Sequence, residues 1–282
     1  MIPAAHITAW GGTAPWPTEA DIEQDLILSR LIVEIANNDL LGDELTMRGG
    51  TCLHKLYLPT PLRYSEDLDY VRRTRSGIGP YLDALRRIAT GVGLVEGGRT
   101  QVGQLVHMTF TADSTHGQRR IRVKIEMNIR ETESCFPRRS RPYQVLSRWW
   151  SGRAGINTFQ LEELLGTKLR ALYQRRKGRD LFDLWHFLTA TSVADERIIE
   201  AFNHYMREGA FTCPDLAANL SAKLSDRDFA SDLSELVVAP PPNHELAGAA
   251  DLVMERLGSR LAKAPHMDEI AGGGWRSATP RP

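Results

Sequence analysis

MRGGTCLHKLYLPTPLRYSEDLDY, residues 47–70, carries a Gly-Gly-Thr triplet at Gly49, Gly50 and Thr51 and a D-x-D pair at Asp67 and Asp69. Residues two apart on a strand project from one face, about 6–7 Å apart, so the two aspartates point the same way and Leu68 and Tyr70 the other. At an effective dielectric of about 20, carboxylates ~6 Å apart repel by roughly 3 kcal/mol, and in water by less than about 1 kcal/mol. The pair therefore costs little on a solvated strand and calls for a cation in a cleft. Alone it is weak evidence, because most D-x-D pairs are solvated.

Its neighbours decide the reading. A short strand around ELTMR runs into a Gly-Gly turn, a helix follows over about residues 51–57, and DLDYV is a second strand. Such a turn lets backbone N–H groups approach a polyphosphate, aided by the helix N-terminus and the Thr51 hydroxyl. The result is the order strand, GGT, helix, strand, DxD. Further on, RIRVKIEMNI alternates Ile121, Val123, Ile125, Met127 and Ile129 with polar residues, the pattern of a half-buried strand. Glu126 lies on its polar face and completes a metal site if that strand adjoins the aspartates. Mg²⁺ takes oxygen ligands and accompanies phosphates, and two ions about 3.5–4 Å apart serve an in-line nucleotidyl displacement.

Around this segment the chain divides in two. Residues 1–18, with three prolines and two adjacent glycines, read as an irregular arm. An amphipathic helix follows, capped by Thr18, with Ile22, Leu26, Ser29, Ile32, Val33 and Ala36 along one face. IGPYLDALRRIATGVG reads as a helix closed by glycine and LVHMTFTAD as a strand joined to the alternating one by a turn near His116. Residues 131–155, rich in Arg, Pro and Ser, read as a loop or hinge. From Phe159 the pattern is helical. The expected division is an α/β domain over 1–155, a helical domain over 156–264 that completes the cleft, and a disordered tail over 265–282.

At 282 residues, with 42% hydrophobic and 25% charged, the composition is that of a globular protein. No apolar run reaches the roughly 18 residues of a membrane span, and the N-terminus has no signal-peptide pattern, so no membrane role is expected. Cys52, Cys135 and Cys213 are odd in number and far apart, which argues against a disulfide framework or zinc site and suits a reducing cytoplasm. The net charge of zero hides an asymmetry. Residues 119–153 hold ten Arg/Lys against three acids, +7, and residues 215–269 ten acids against five Lys/Arg, −5. The basic stretch permits an anionic partner and is equally compatible with a solvated surface.

MRGGTCLHKLY, LRYSEDLDY, RVKIEMN and LLGTKLRALYQRRKGRDLFDL, taken in order, resemble the AbiEii/AbiGii nucleotidyltransferase toxins, including the MenT-type toxins, of the polymerase-β-like superfamily. The resemblance covers about residues 43–186. It implies an α+β fold, a polymerase-β-like nucleotidyltransferase domain with a mixed sheet flanked by helices, followed by a helical C-terminal domain. It also implies that Gly49, Gly50 and Thr51 cradle a triphosphate, that Asp67 and Asp69 bind Mg²⁺ or Mn²⁺, and that Glu126 takes the third acidic position. Lys168 matches the lysine that contacts nucleotide phosphates, and Asp180 an aspartate that orients that lysine or the incoming hydroxyl. Ser65 lies beside the metal site, where modification would add negative charge and inhibit. The implied reaction is NMP transfer from an NTP, with CTP or GTP favoured, to an RNA acceptor, foremost the 3′ end of tRNA. The implied setting is a toxin–antitoxin pair in phage defence, with a cognate antitoxin protein as partner.

Each residue also has a plainer reading. Lys168 sits on an amphipathic helix with Leu161, Leu164, Leu165, Leu169 and Leu172, where a lone lysine is usually solvated. Asp180 is also a plausible helix N-cap. Lys124 reads equally as a phosphate ligand and as an exposed strand residue. His107, His186 and His204 lie among apolar residues and read as structural, and Trp149-Trp150 as a hydrophobic plug. Two further functions keep the same residues: a nucleotidyltransferase acting on a protein or small molecule, and an NTP-binding module that does not transfer.

Overall fold

The alternating segment becomes a strand paired with the one that carries Asp67 and Asp69. A computed structural model describes residues 2–115, 117, 119–206, 211–234, 236–237 and 244–261. The expected tail over 265–282 and the turn residue His116 lie outside the described residues. In chain order the strands are β1 (Leu45–Arg48), β2 (Asp67–Arg72), β3 (Val95–Glu96), β4 (Gln101–Val102), β5 (Leu105–Asp113), β6 (Arg120–Asn128), β7 (Arg139–Leu146) and β8 (Ser151–Thr158). They form one mixed sheet in the spatial order β3-β5-β6-β2-β1-β8-β7, with β4 also paired to β5. On β6, Ile121, Val123, Ile125 and Met127 are buried, while Arg120, Arg122, Lys124, Glu126 and Asn128 face outward.

The helices before and between these strands are α1 (Ala4–Trp10), α2 (Glu19–Ala36), α3 (Leu41–Glu44), α4 (Gly49–Leu56) and α5 (Gly79–Gly91). Thr18 caps α2 as expected, its side chain accepting from the Asp21 N–H. α2 lies against the sheet, and the Gln24 carboxamide donates 2.7 Å to the Arg122 carbonyl, pinning β6 from behind. After β8 come α6 (Leu161–Gln174), α7 (Gly178–Ala190), α8 (Asp195–Tyr205), α9 (Cys213–Leu224), α10 (Arg227–Ser231) and α11 (Leu246–Arg256). α6 packs on α7 and α8, and α11 on α7. The fold is α+β: a mixed sheet flanked by helices, then a helical portion. Among the described residues no helix is long and apolar enough to cross a membrane.

Two expectations fail. The arm over 1–18 is not wholly irregular, since Ala4–Trp10 is helical and Ile7, Trp10 and Trp16 are buried. A polar device orders it: the Trp10 and Trp16 indoles donate to the two Asp25 oxygens at 2.9 and 3.0 Å, and the Lys55 ammonium neutralises that carboxylate at 2.8 Å. Nor are residues 131–155 a loop throughout. Residues 139–158 form the β7–β8 hairpin, and β8 adds parallel to β1 at Met47↔Thr158. β7 is an edge strand, where Pro142 and arginine are tolerated because among the described residues no strand pairs outside it. Its buried side is thin, chiefly Val145, with Ile156 on β8, so the apolar alternation that marks a strand is missing. Trp149 and Trp150 close the hairpin against the core, with the Arg30 guanidinium 4.8 and 5.4 Å from their rings.

Candidate active site

The glycine pair belongs to the first turn of α4, because the helix begins at Gly49 directly after β1. Gly49 has φ +81°, and a Cβ there would lie 2.0 Å from an Asp69 oxygen. Only glycine fits both the backbone and the carboxylate. At Gly50 a Cβ would lie 2.3 Å from the Arg63 guanidinium. Arg48, at the N-cap, makes no side-chain capping bond, so the first-turn N–H groups have no side-chain cap and face the cleft, an arrangement suited to an anion.

β2 runs antiparallel to β1 and parallel to β6, with Arg48↔Asp69, Asp69↔Glu126 and Asp67↔Lys124 in register. Asp67, Asp69 and Glu126 therefore share one face of the sheet. Burial raises both aspartates. Asp67 is pushed up to about 6 by burial and then by Asp69 and Glu66, and Asp69 is raised by burial and then by Glu126. Glu126 turns toward the Lys124 ammonium and lies 3.2 Å from His107. Among the described residues no three His, Cys, Asp or Glu side chains converge tightly enough to cage a metal. What is present fits a different kind of site: two raised carboxylates on one strand face, next to an uncapped helix start. Mg²⁺ is typically held by one or two carboxylates together with substrate phosphates, and this donor set matches that pattern.

Lys168 is buried, not a solvated helix lysine, and lies 2.9 Å from both Asp180 and Asp183. Asp180 is fully buried in the first turn of α7 and also takes two bonds from Arg175, at 2.6 and 2.8 Å. Burial alone would raise Asp180, but Lys168 and Arg175 outweigh it and hold the carboxyl below its usual range. Asp183 is buried too, yet Arg63 and Lys168 hold it far below. Arg63 grips Asp183 with two bonds of 2.7 Å, and the His54 ring lies 2.9 Å from the same carboxylate. A continuous charge network thus runs from the glycine turn through Arg63 and Asp183 to Lys168, Asp180 and Arg175.

A cavity of about 240 Å³ brings together Arg48, Gly49, Gly50, Asp69, Glu126 and Lys168, with Arg175 at its wall. It shares Leu105, Asn128, Glu131 and Arg170 with an adjoining cavity of about 590 Å³. Asp67 lines a third space, with Glu66, Arg119, Arg120, Arg122 and Lys124. Thr51 lies where the sequence put it, but its hydroxyl is turned inward, 2.6 Å from the Asp67 carbonyl and 2.8 Å from Ser65 Oγ. It braces the DxD strand and does not open toward the cleft. Ser65 is half-buried beside it.

Arg48, Arg63 and Asp183 were not anticipated. Asp183 had a signal: it stands three residues after Asp180, on the same helix face, among Leu181, Phe182 and Leu184. A carboxylate in that company requires a buried cation. Arg63 and Arg48 carried no comparable sign.

A family model described as nucleotidyl transferase AbiEii toxin, type IV TA system, matches residues 30–257. A sequence search of curated proteins found no match. Among solved structures, the fold is similar to MenT4, a nucleotidyltransferase toxin of Mycobacterium tuberculosis, with TM-score 0.60 and 17% identity over 95% of this chain and 90% of that one. A putative nucleotidyltransferase from H. pylori aligns with TM-score 0.54 and 16% identity over 85% of this chain and 93% of that one. JHP933 from Helicobacter pylori aligns with TM-score 0.52 and 16% identity over 85% of this chain and 90% of that one.

Proposed function

The chain belongs to the AbiEii nucleotidyltransferase toxin family of type IV toxin–antitoxin systems, and on that premise we propose a Mg²⁺-dependent enzyme that transfers NMP from an NTP to the 3′ end of tRNA, blocking translation. The observation that carries the reading is the placement of Asp69 and Asp67 on one strand face, with Asp69 against the glycine-led start of α4 and Lys168 across the same cavity. The first-turn N–H groups of α4, Lys168 and the outer side of Arg175 would hold the β- and γ-phosphates. Asp180 and Asp183 hold Lys168 so that its remaining donor capacity faces the cavity. Asp67 and Asp69 would hold the ion, which when bound neutralises phosphate oxygens and favours ionisation of the attacking hydroxyl. The acceptor oxygen bonds to the α-phosphorus, the bond to the bridging β-oxygen breaks, pyrophosphate leaves, and the hydroxyl proton passes to solvent. Glu126 would complete the acidic set on leaving Lys124. A cognate antitoxin follows from the family, and a phosphate on Ser65 would set negative charge beside Asp67 and oppose the ion-bound state.

Mass spectrometry of total RNA incubated with the protein, Mg²⁺ and each NTP separately tests the reading. Addition of a nucleotide to tRNA 3′ ends, with release of pyrophosphate, is expected. Labelling of a protein or small molecule with unmodified RNA would move the acceptor to that class. Binding of NTP with no labelled acceptor would make the chain a nucleotide-binding module.

A further inference from the structure

The face that carries Asp67 and Asp69 does not end with them. Toward the start of β6 it continues through Lys124, Arg122 and Arg120, which a strand rise of about 3.3 Å per residue sets ~6.6 Å apart. Two hollows lie along this row. One, of about 420 Å³, is lined by Glu66, Asp67, Arg119, Arg120, Arg122 and Lys124. The other, of about 220 Å³, is lined by Arg99, Gln101, His107, Thr109, Arg122 and Lys124. They share Arg122 and Lys124 and so form one trough whose inner end is Asp67.

Five cations line the trough against two carboxylates, Glu66 and Asp67, and the cations are poorly answered. Arg119 pairs with Asp21 at 2.8 Å and lies 4.0 Å from Glu66, and Lys124 pairs with Glu126. Arg120 and Asp113, 3.8 Å apart, are both exposed, a pairing worth little. Among the described residues Arg99 and Arg122 have no carboxylate partner. Like charges gathered this way favour an anionic ligand with repeated charges at a spacing comparable to successive phosphates of an extended strand. Among the described residues no Phe, Tyr or Trp lines either hollow, so the surface suits a backbone read by charge and not bases read by stacking.

Position supplies the second argument. In an in-line displacement at phosphorus the entering oxygen lies opposite the leaving pyrophosphate. With the triphosphate on α4, Lys168 and Arg175, the entering hydroxyl must come from the Asp67 side, which is the inner end of the trough. We propose that the trough seats the single-stranded 3′ end of the acceptor nucleic acid, with the phosphates preceding its terminal hydroxyl on Lys124, Arg122 and Arg120 and flanked by Arg99 and Arg119. The inference rests on the transfer reading above and gives the acceptor a place and a polarity.

The test compares two double variants of the full chain with equal change in charge. Arg120→Glu with Arg122→Glu alters the trough. Arg148→Glu with Arg153→Glu alters exposed arginines of the β7–β8 hairpin at the opposite edge of the sheet. The trough variant is expected to raise the KM for RNA about tenfold or more and to lower the slope of log KM against log salt by about 0.7 per lost contact, with the KM for NTP unchanged. The hairpin variant should change neither, and Arg122→Lys should retain most of the affinity. Equal effects from both doubles, or none from the trough double while the wild type still modifies RNA, would overturn the trough and leave the transfer reading standing. A wild type that modifies no RNA with any NTP would overturn both. Melting curves show whether each variant is folded, and the single Arg122→Glu variant serves if the double is not.

Discussion

Around Asp69 the cations are held by buried carboxylates: Lys168 between Asp180 and Asp183, Arg63 on Asp183, Arg175 on Asp180. Past Asp67, on the same face of the same sheet, Arg120 and Arg122 stand exposed with little to pair with. Burying a charge is costly unless a partner removes most of that cost, so the first arrangement persists only because its geometry is fully determined. The second costs little to leave open and is free to exchange water and counterions for a ligand. Charges at the closed end therefore govern stability and the position of Lys168, whereas charges at the open end govern affinity and its dependence on salt. Asp67 and Asp69 sit at the junction and belong to neither regime.

The junction should give the largest effect. Asp67→Asn and Asp69→Asn are each expected to lower kcat for transfer at least ~10⁴-fold, more than about 5 kcal/mol of barrier. Their melting temperatures should hold or rise, since burial and neighbouring carboxylates raise both groups and removing either charge relieves the fold. Loss of activity together with a lowered melting temperature would assign the pair a structural role instead.

Next comes the closed end. Asp183→Asn leaves Arg63 and Lys168 buried with one carboxylate fewer, and a cost of about 3–5 kcal/mol is expected in denaturant unfolding. Arg122→Gln, on the open end, should cost less than about 0.5 kcal/mol in the same assay. Similar values for the two would erase the contrast.

The closed end also carries a pH signature in His54. Burial pushes its pKa down to about 4, despite the Asp183 carboxylate beside it. The hydrogen bonds agree: Nε2 faces Asp183 at 2.9 Å and Nδ1 accepts the Leu62 N–H at 3.3 Å, which only the neutral ring permits. The folded state thus binds fewer protons than the unfolded state between pH 6.5 and about 4. Stability from this ring is full above 6.5 and is lost as pH falls, up to roughly 3 kcal/mol. Asp67 works in the opposite direction between about 6 and its unfolded value near 3.8, so the raw profile mixes both signs. The informative quantity is the difference between wild type and His54→Gln from pH 7 to pH 4, and a flat difference would reject the buried neutral ring.

The contrast also explains what could be read beforehand. β6 was legible because four buried apolar residues alternate with outward polar ones, and β1, α4 and β2 because glycine and aspartate impose backbone and charge constraints of their own. Residues 139–155 of the hairpin read as loop because an edge hairpin with so thin a buried face leaves no apolar period. Lys168 stood out only through the resemblance, because one lysine among leucines looks the same whether it faces water or two carboxylates. Its partner Asp183 comes from the next helix, and only tertiary packing brings them together. The open end had a visible sign, the +7 stretch, but its ten cations are spread over β6, its flanking segments and the distant hairpin, and sequence alone does not separate them.

Arg175 tests the boundary between the regimes with the smallest effect. Its side chain is 53% exposed, yet its guanidinium donates two bonds to the fully buried Asp180. If it belonged to the closed network, its removal would cost as much as that of Asp183. The geometry argues otherwise: Asp180 keeps Lys168 at 2.9 Å when Arg175 is gone, and water reaches the vacated side. Arg175→Gln should therefore cost less than about 1 kcal/mol in unfolding. Its outer edge lines the cavity with Gly49, Gly50 and Lys168, so the same variant should raise the KM for NTP severalfold while the KM for RNA stays put. An unfolding cost near that of Asp183→Asn would place Arg175 within the closed network and move the boundary outward by one residue.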